Sequence, residues 1–134
     1  MSAPDEAKAN IPSAEDRLRQ ILARNARYPR EAYEFVNESL GYTVRLQRRA
    51  GHVTGQELCE GVRHLAVERF GYLARIVLES WNIRRTDDIG AIVYAMIEVE
   101  LLRRNESDSL ADFHDVFDFE EAFDRSFRIP LAKP

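Results

Sequence analysis

The 134-residue chain is poor in cysteine and lysine and has no long apolar run. A single cysteine, Cys59, cannot form a disulfide within the chain, so the fold must be stable without one. Residues 1–30 contain no apolar stretch typical of a signal peptide or a membrane span. We therefore expect a cytoplasmic protein that does not enter a membrane.

The common catalytic signatures are also missing. The chain has no G-x-S-x-G, no glycine-rich phosphate loop, no H-E-x-x-H and no C-x-x-C. Cys59 and His64 are placed on different faces of one predicted helix, which disfavours a nucleophilic pair. These absences lead us to expect neither an enzyme nor a bound cofactor.

Charge is distributed unevenly around a formal net charge of −4. Residues 105–134 carry three basic and eight acidic side chains, and no Lys or Arg lies between Asn105 and Asp124. This C-terminal part would repel a polyanion.

Apolar spacing predicts a mainly α fold with five to six helices in a single domain over residues 13–128. Residues 1–12 and 129–134 are expected to be tails, the first of them disordered. Residues 13–48 read as a helical pair, residues 54–117 as a winged-helix-like core, and residues 118–128 as an acidic terminal helix. Thr54 with Glu57 forms a capping box at the start of the core.

The winged-helix comparison rests on the stretch WNIRRTDDIGAIVYAMIEVELLRR at residues 81–104. It is typical of the second helix of a helix-turn-helix running into a short strand, and ADFHDVF could return to complete one β-hairpin. In the segment before this helix, Leu73, Ile76, Val77 and Trp81 are expected to be buried, Asn82 to be left-handed just past a helix end, and Thr86 to cap the next helix. On that next helix Ile89, Ile92, Val93, Met96 and Ile97 are expected to point inward. The outward face then holds Asp87, Asp88, Ala91, Tyr94, Ala95 and Glu98.

That outward face disfavours DNA recognition. It contains no Arg, Lys, Asn or Gln, the side chains that read base edges and phosphates. A nucleic-acid-binding regulator stays open as the alternative, through the turn and post-helix arginines Arg84, Arg85, Arg103 and Arg104. The basic face of the first helix would support them with Arg17, Gln20, Arg24 and Arg27.

The segment DFHDVFDFEEAFDRSF interleaves phenylalanines with six carboxylates. One interpretation is that its helix docks on the core of the same chain. The other is an acidic, aromatic surface that meets a basic groove of a partner or of a second copy. The candidate interaction residues are therefore Asp87, Asp88, Tyr94, Glu98, Phe113, Phe119 and Phe123.

Four further residues of this segment are weak candidates for metal ligands: Asp112, His114, Asp115 and Asp118. Oxygen and imidazole ligands can hold a divalent metal, but their spacing matches no calcium loop. A solvated acidic turn is the alternative interpretation.

The stretches HVTGQELCEGVRHLAVERFG, LARIVLESWNIRRTDDIGAIVYAMIE and DFHDVFDFEEAF resemble a family of small uncharacterised bacterial proteins of the planctomycete and verrucomicrobial lineages. The resemblance covers about residues 21–127 and implies no activity, cofactor or site residue. Asn82 and Glu100 stand where that pattern leads us to expect glycine, so the departures concern turn geometry.

Together these features predict a non-enzymatic interaction module, either an adaptor or a dimer, with a protein partner or a second copy. The nucleic-acid regulator is the alternative, and a metal-dependent enzyme built on His114 and its aspartates ranks last.

Overall fold

The computed structural model describes residues 1–3, 13–47 and 52–125. Five α-helices account for most of these residues: α1 (Ala14–Arg24), α2 (Arg30–Gln47), α3 (Gly55–Phe70), α4 (Ala74–Ser80) and α5 (Thr86–Glu98). Two 3₁₀ turns, Gly71–Leu73 and Leu110–Phe113, and a π-helical segment, Glu120–Arg125, complete the fold. The predicted mainly α class is confirmed. No helix among the described residues has the length and apolarity needed to cross a membrane.

Helix α3 begins as its sequence predicts. The Glu57 backbone amide donates to Thr54 Oγ1 at 3.1 Å, and the Thr54 amide donates back to Glu57 Oε1 at 2.9 Å. This reciprocal cap satisfies two amides at the start of the helix. The helix ends before Gly71, whose φ of 58° suits glycine and turns the chain toward α4.

The core lies where α2, α3 and α5 meet. Four of the five apolar side chains of α5 predicted to point into it are buried: Ile89, Ile92, Val93 and Met96. The fifth, Ile97, is half-buried and packs against the core. Helices α2 and α3 come closest at Gly61, where an added Cβ would lie 1.8 Å from Thr43 Oγ1. Glycine at this position therefore permits the close approach of the two helices.

The predicted β-hairpin is wrong for the described residues. Arg103 forms an isolated antiparallel bridge with Ser2, and residues 110–113 form a 3₁₀ turn instead of a returning strand. Ser109 and Asp112 favour that turn, because the Ser109 hydroxyl accepts from the Ala111 amide and the Asp112 carboxylate from the Ser109 amide. The winged-helix comparison for residues 54–117 remains a prediction.

The expected disordered tail is also wrong at residues 1–3, while residues 4–12 lie outside the described part. The Met1 side chain is buried, and its ammonium group donates to Asp108 Oδ2 at 2.7 Å and to the Val53 carbonyl at 2.9 Å. An ion pair between residues so distant in sequence has no local pattern that could predict it. The tail expected at residues 129–134 lies outside the described residues.

Candidate interaction surface

The turn between α4 and α5 is built around Asn82. Its φ of 64° is left-handed, as expected just past a helix end. The Asn82 amide donates to the Glu79 carbonyl and the Ile83 amide to the Leu78 carbonyl, both at 2.9 Å. Ile83 and Leu78 are both buried. These features define a Schellman motif, and the Asn82 side chain further donates to the Arg27 carbonyl at 2.8 Å.

Asp88 lies inside the molecule and not on the outer face of α5, which corrects the prediction. It is 4% exposed. Its carboxylate accepts hydrogen bonds from the Tyr28 hydroxyl and from the backbone amides of Arg84 and Arg85, at 2.5, 2.9 and 3.2 Å. Burial, followed by the hydrogen bond to Asp88, raises the pKa of Tyr28. Asp88 thus caps α5 and ties the α1–α2 loop to it.

Thr86, the residue expected to cap α5, has another role. Its side chain is buried, and Thr86 Oγ1 accepts from the Val116 amide at 3.1 Å. Trp81 packs against Phe35 and Phe70 with ring centroids 5.5 and 6.0 Å apart. Thr86 and Trp81, both in the stretch compared with a DNA-binding helix-turn-helix, therefore contact other parts of the same chain.

The rest of the predicted interaction face on α5 is largely paired within the chain. Glu98 is exposed and lies 3.9 Å from Arg24 of α1. The half-buried Tyr94 ring meets Phe113 edge-on, and the Arg104 guanidinium lies 5.9 Å from its centroid. Asp87 lies 3.2 Å from His114 Nδ1, beside an open depression of about 520 Å³ also lined by Ala91, Leu110 and Ala111.

The three phenylalanines predicted for the surface belong to the core. Phe113, Phe119 and Phe123 are each at most 4% exposed, so they are not available to a partner. An added Cβ on Gly90 would lie 2.8 Å from Phe113 Cβ, which explains how closely the ring is seated. The interpretation that this segment docks on its own chain is confirmed for residues 113–123. Phe127 lies outside the described residues.

The four metal-ligand candidates serve separate local purposes. Asp112 caps the 3₁₀ turn, His114 pairs with Asp87, and Asp118 accepts from the Glu121 amide at 3.0 Å. Asp115 is exposed with a φ of 52°. Among the described residues, no group of three or more His, Cys, Asp or Glu side chains could hold a metal ion.

The basic candidates do not form one open patch. Arg17 is buried, and its guanidinium donates to the Glu100 carbonyl at the C-terminal end of α5. A cation is favourable there because the helix dipole is negative at that end. Arg84 lies 3.6 Å from Glu79, and Arg104 donates to the Asp108 carbonyl at 2.9 Å. Arg85 and Arg103 have exposed side chains.

The surface that sequence reasoning missed is an apolar face formed by Tyr72, Leu73 and Ile76, which we call the α4 face. These side chains are 62%, 45% and 66% exposed. Spacings of three and four residues make them neighbours on a helix. Leu73 and Ile76 were predicted to be buried, but Ala74 and Leu78 fill the inward positions instead.

A signal for the α4 face is present in YLARIVLESW. It has apolar residues on more than one side of a short helix, so one side must remain outside. Isolated exposed apolar side chains are ordinary, whereas a contiguous group marks a contact site.

Charged side chains border the α4 face in both signs. Arg75 donates to Glu79 Oε2 at 2.7 Å and also pairs with Asp124 of the π-helical segment. An apolar centre with a mixed polar rim is the common composition of a protein contact surface.

Cys59 is fully buried, and burial raises the pKa of its thiol. Its thiol therefore stays protonated and inert toward electrophiles at neutral pH.

Comparisons with known proteins add no identification. The chain matches no protein-family model, no curated protein and no solved structure.

Proposed function

We propose that the chain is a non-enzymatic protein–protein interaction module that uses the α4 face as its contact surface. The observation that carries this proposal is the exposure of Tyr72 and Leu73, at the end of the 3₁₀ turn, and of Ile76, in the first turn of α4, while Ala74 and Leu78 of α4 are buried. When a partner covers these side chains, their removal from water stabilises the complex in proportion to the apolar area that is buried. The paired charges around them would fix orientation.

The former candidate surface on α5 contributes less to this proposal. Asp88, Phe113, Phe119 and Phe123 are occupied inside the fold, and Glu98 pairs with Arg24. Asp87 remains accessible next to the exposed Leu110 and forms a secondary rim for a partner. We keep a cytoplasmic location and the planctomycete and verrucomicrobial resemblance as parts of the proposal.

Affinity capture from native lysate tests the proposal. The wild type is compared with Ile76→Asp, which places a charge in the α4 face, and with Leu46→Asp. Leu46 is 57% exposed on α2, so it is a matched control. We expect wild type and Leu46→Asp to retain the same protein partner, and Ile76→Asp to lose at least about 90% of it, since a buried unpaired charge costs more than about 1.4 kcal/mol.

Nuclease treatment separates the nucleic-acid alternative. Retention that survives nuclease supports a protein contact, whereas loss of all bound protein after nuclease supports binding through Arg84, Arg85, Arg103 and Arg104. If the wild type, Ile76→Asp and Leu46→Asp all retain the partner equally, the partner does not bind the α4 face. A thermal melt of each variant checks that it is folded under the conditions of the capture experiment.

A further inference from the structure

We infer that the partner on the α4 face is a second copy of this chain, with the two α4 helices packed antiparallel across a two-fold axis near Ile76. The inference rests on the proposed function and names its partner.

The charges along α4 are arranged so that they can pair across a two-fold axis. Arg75 and Glu79 lie one turn apart on α4 and pair with each other within one copy, and each keeps roughly a third of its side chain exposed to a second copy. A two-fold axis near Ile76 and Val77 sets Arg75 of one copy beside Glu79 of the other, and the same pair is repeated on the other side of the axis. Opposite charges thus meet twice in this arrangement. A parallel arrangement would place like charges together.

The apolar centre of the α4 face can also pack against a second copy of itself. Ile76 would contact Ile76 of the second copy, and Tyr72 and Leu73 would cover the far end of the opposite helix. Because α4 and its preceding turn extend only from Gly71 to Ser80, the face is as short as one short helix and can be covered by another. A long groove would have suited an extended peptide instead.

The small size of the α4 face limits the strength of the dimer. Three partly exposed apolar side chains offer on the order of 300 Å² per copy. A stable interface buries about 800 Å² per partner. The dimer should therefore be weak, with a dissociation constant on the order of 100 μM, and should form and separate with concentration.

Sedimentation velocity from about 10 μM to about 1 mM tests this inference. We expect the wild-type weight-average mass to rise from that of a monomer toward that of a dimer, and Ile76→Asp to remain monomeric. Leu46→Asp, the matched control, should follow the wild type. A wild type that stays monomeric throughout, or a dimer unaffected by Ile76→Asp, would overturn the inference.

Charge reversal tests the antiparallel geometry. Arg75→Glu and Glu79→Arg each place like charges across the axis, so each alone should associate at least about tenfold more weakly than the wild type. An equimolar mixture of the two variants restores opposite charges at both contacts and should recover mixed dimers. Failure of the mixture to recover association, with both variants folded by thermal melt, would contradict the arrangement.

A different protein, or residues 126–134 of the same chain, could cover the α4 face instead of a second copy, and each gives a different experimental result. A monomeric wild type whose capture of a different protein depends on Ile76 would overturn the dimer and leave the proposed function standing. A chain shortened after Arg125 that dimerises when the full chain does not would overturn the inference in favour of residues 126–134 as the occupant. Loss of both association and Ile76-dependent capture would overturn the inference and the proposed function together.

Discussion

Asp88 links the α1–α2 loop to the start of α5, and it does so as a buried charge. Its carboxylate accepts hydrogen bonds from the Tyr28 hydroxyl and from two backbone amides. It also accepts one from the Arg27 guanidinium at 3.2 Å. Removing one partner from such a group leaves the others unsatisfied in a site that water does not reach. The neighbouring Asp87 faces outward and pairs with the exposed His114, which makes it a natural comparison.

We predict that Asp88→Ala lowers the free energy of unfolding by about 3 kcal/mol. Asp87→Ala should lower it by less than about 0.5 kcal/mol, because the side chain of its partner His114 is 72% exposed and the pair is screened by solvent. Urea denaturation measures both. Equal effects would contradict the burial and the cap assigned to Asp88.

Glu100 has a φ of 62°, a left-handed conformation that costs a residue with a Cβ about 1 kcal/mol. Glu100→Gly should therefore raise the free energy of unfolding by about 1 kcal/mol. Glu98→Gly, within α5, should lower it by about 1 kcal/mol. Thermal denaturation distinguishes the two, and a loss of stability in Glu100→Gly would refute the assigned backbone geometry.

Asp108 makes the free energy of unfolding depend on pH. Burial alone would raise its pKa, but hydrogen bonds from the Met1 ammonium group and the Asn105 amide hold the pKa below its usual value. His52 Nε2 lies 3.7 Å away. A lowered folded-state pKa means that the stabilisation is complete above the unfolded value of about 3.9 and disappears as pH falls through the folded value.

Wild type should therefore lose stability below about pH 4 more steeply than Asp108→Asn, which has no carboxylate to protonate there. The difference in unfolding free energy between the two should shrink as pH falls below about 5. Urea denaturation across pH measures it. Parallel acid profiles would show that the Met1–Asp108 pair does not stabilise the fold.

At the scale of elements, the close approach of α2 and α3 depends on Gly61. An added methyl group would overlap the Thr43 hydroxyl, which donates to the Ser39 carbonyl at 2.7 Å. Gly61→Ala should lower the free energy of unfolding by at least about 2 kcal/mol. Thr43→Ala should lower it by about 1 kcal/mol through the lost hydrogen bond.

The double variant tests whether these two residues are in contact. With the hydroxyl gone, the nearest remaining Thr43 atom to the added methyl is Cβ at 3.1 Å. The double variant should be less destabilised than the sum of the single effects by about 1 kcal/mol. Strict additivity would indicate that the helices are farther apart.

At the scale of the whole molecule, the features that the sequence predicted correctly are ones whose determining contacts are local. The Thr54–Glu57 cap, the left-handed Asn82 and the inward side of α5 follow from neighbours a few residues apart. The mainly α class follows from the same periodicity.

Predictions failed where distant partners decide the outcome. Asp88 was placed outside because its own helix gives no sign of Tyr28, and Met1 was placed in a tail because Asp108 is remote in sequence. Ile76 was placed inside because the pattern of α4 does not show that α3 and the π-helical segment leave one side uncovered. For these reasons the candidate contact surface is the α4 face and not the outer face of α5.

Hydroxyl-radical footprinting of the wild-type chain, free at about 10 μM and either associated at about 1 mM or in a captured complex, tests the central claim most directly. Tyr72, Leu73 and Ile76 are exposed in the free chain and should be modified there, and they should be protected in the complex. Peptides carrying Arg84 and Arg85 should be modified equally in both states. Protection of those peptides with an unprotected α4 face would contradict the account.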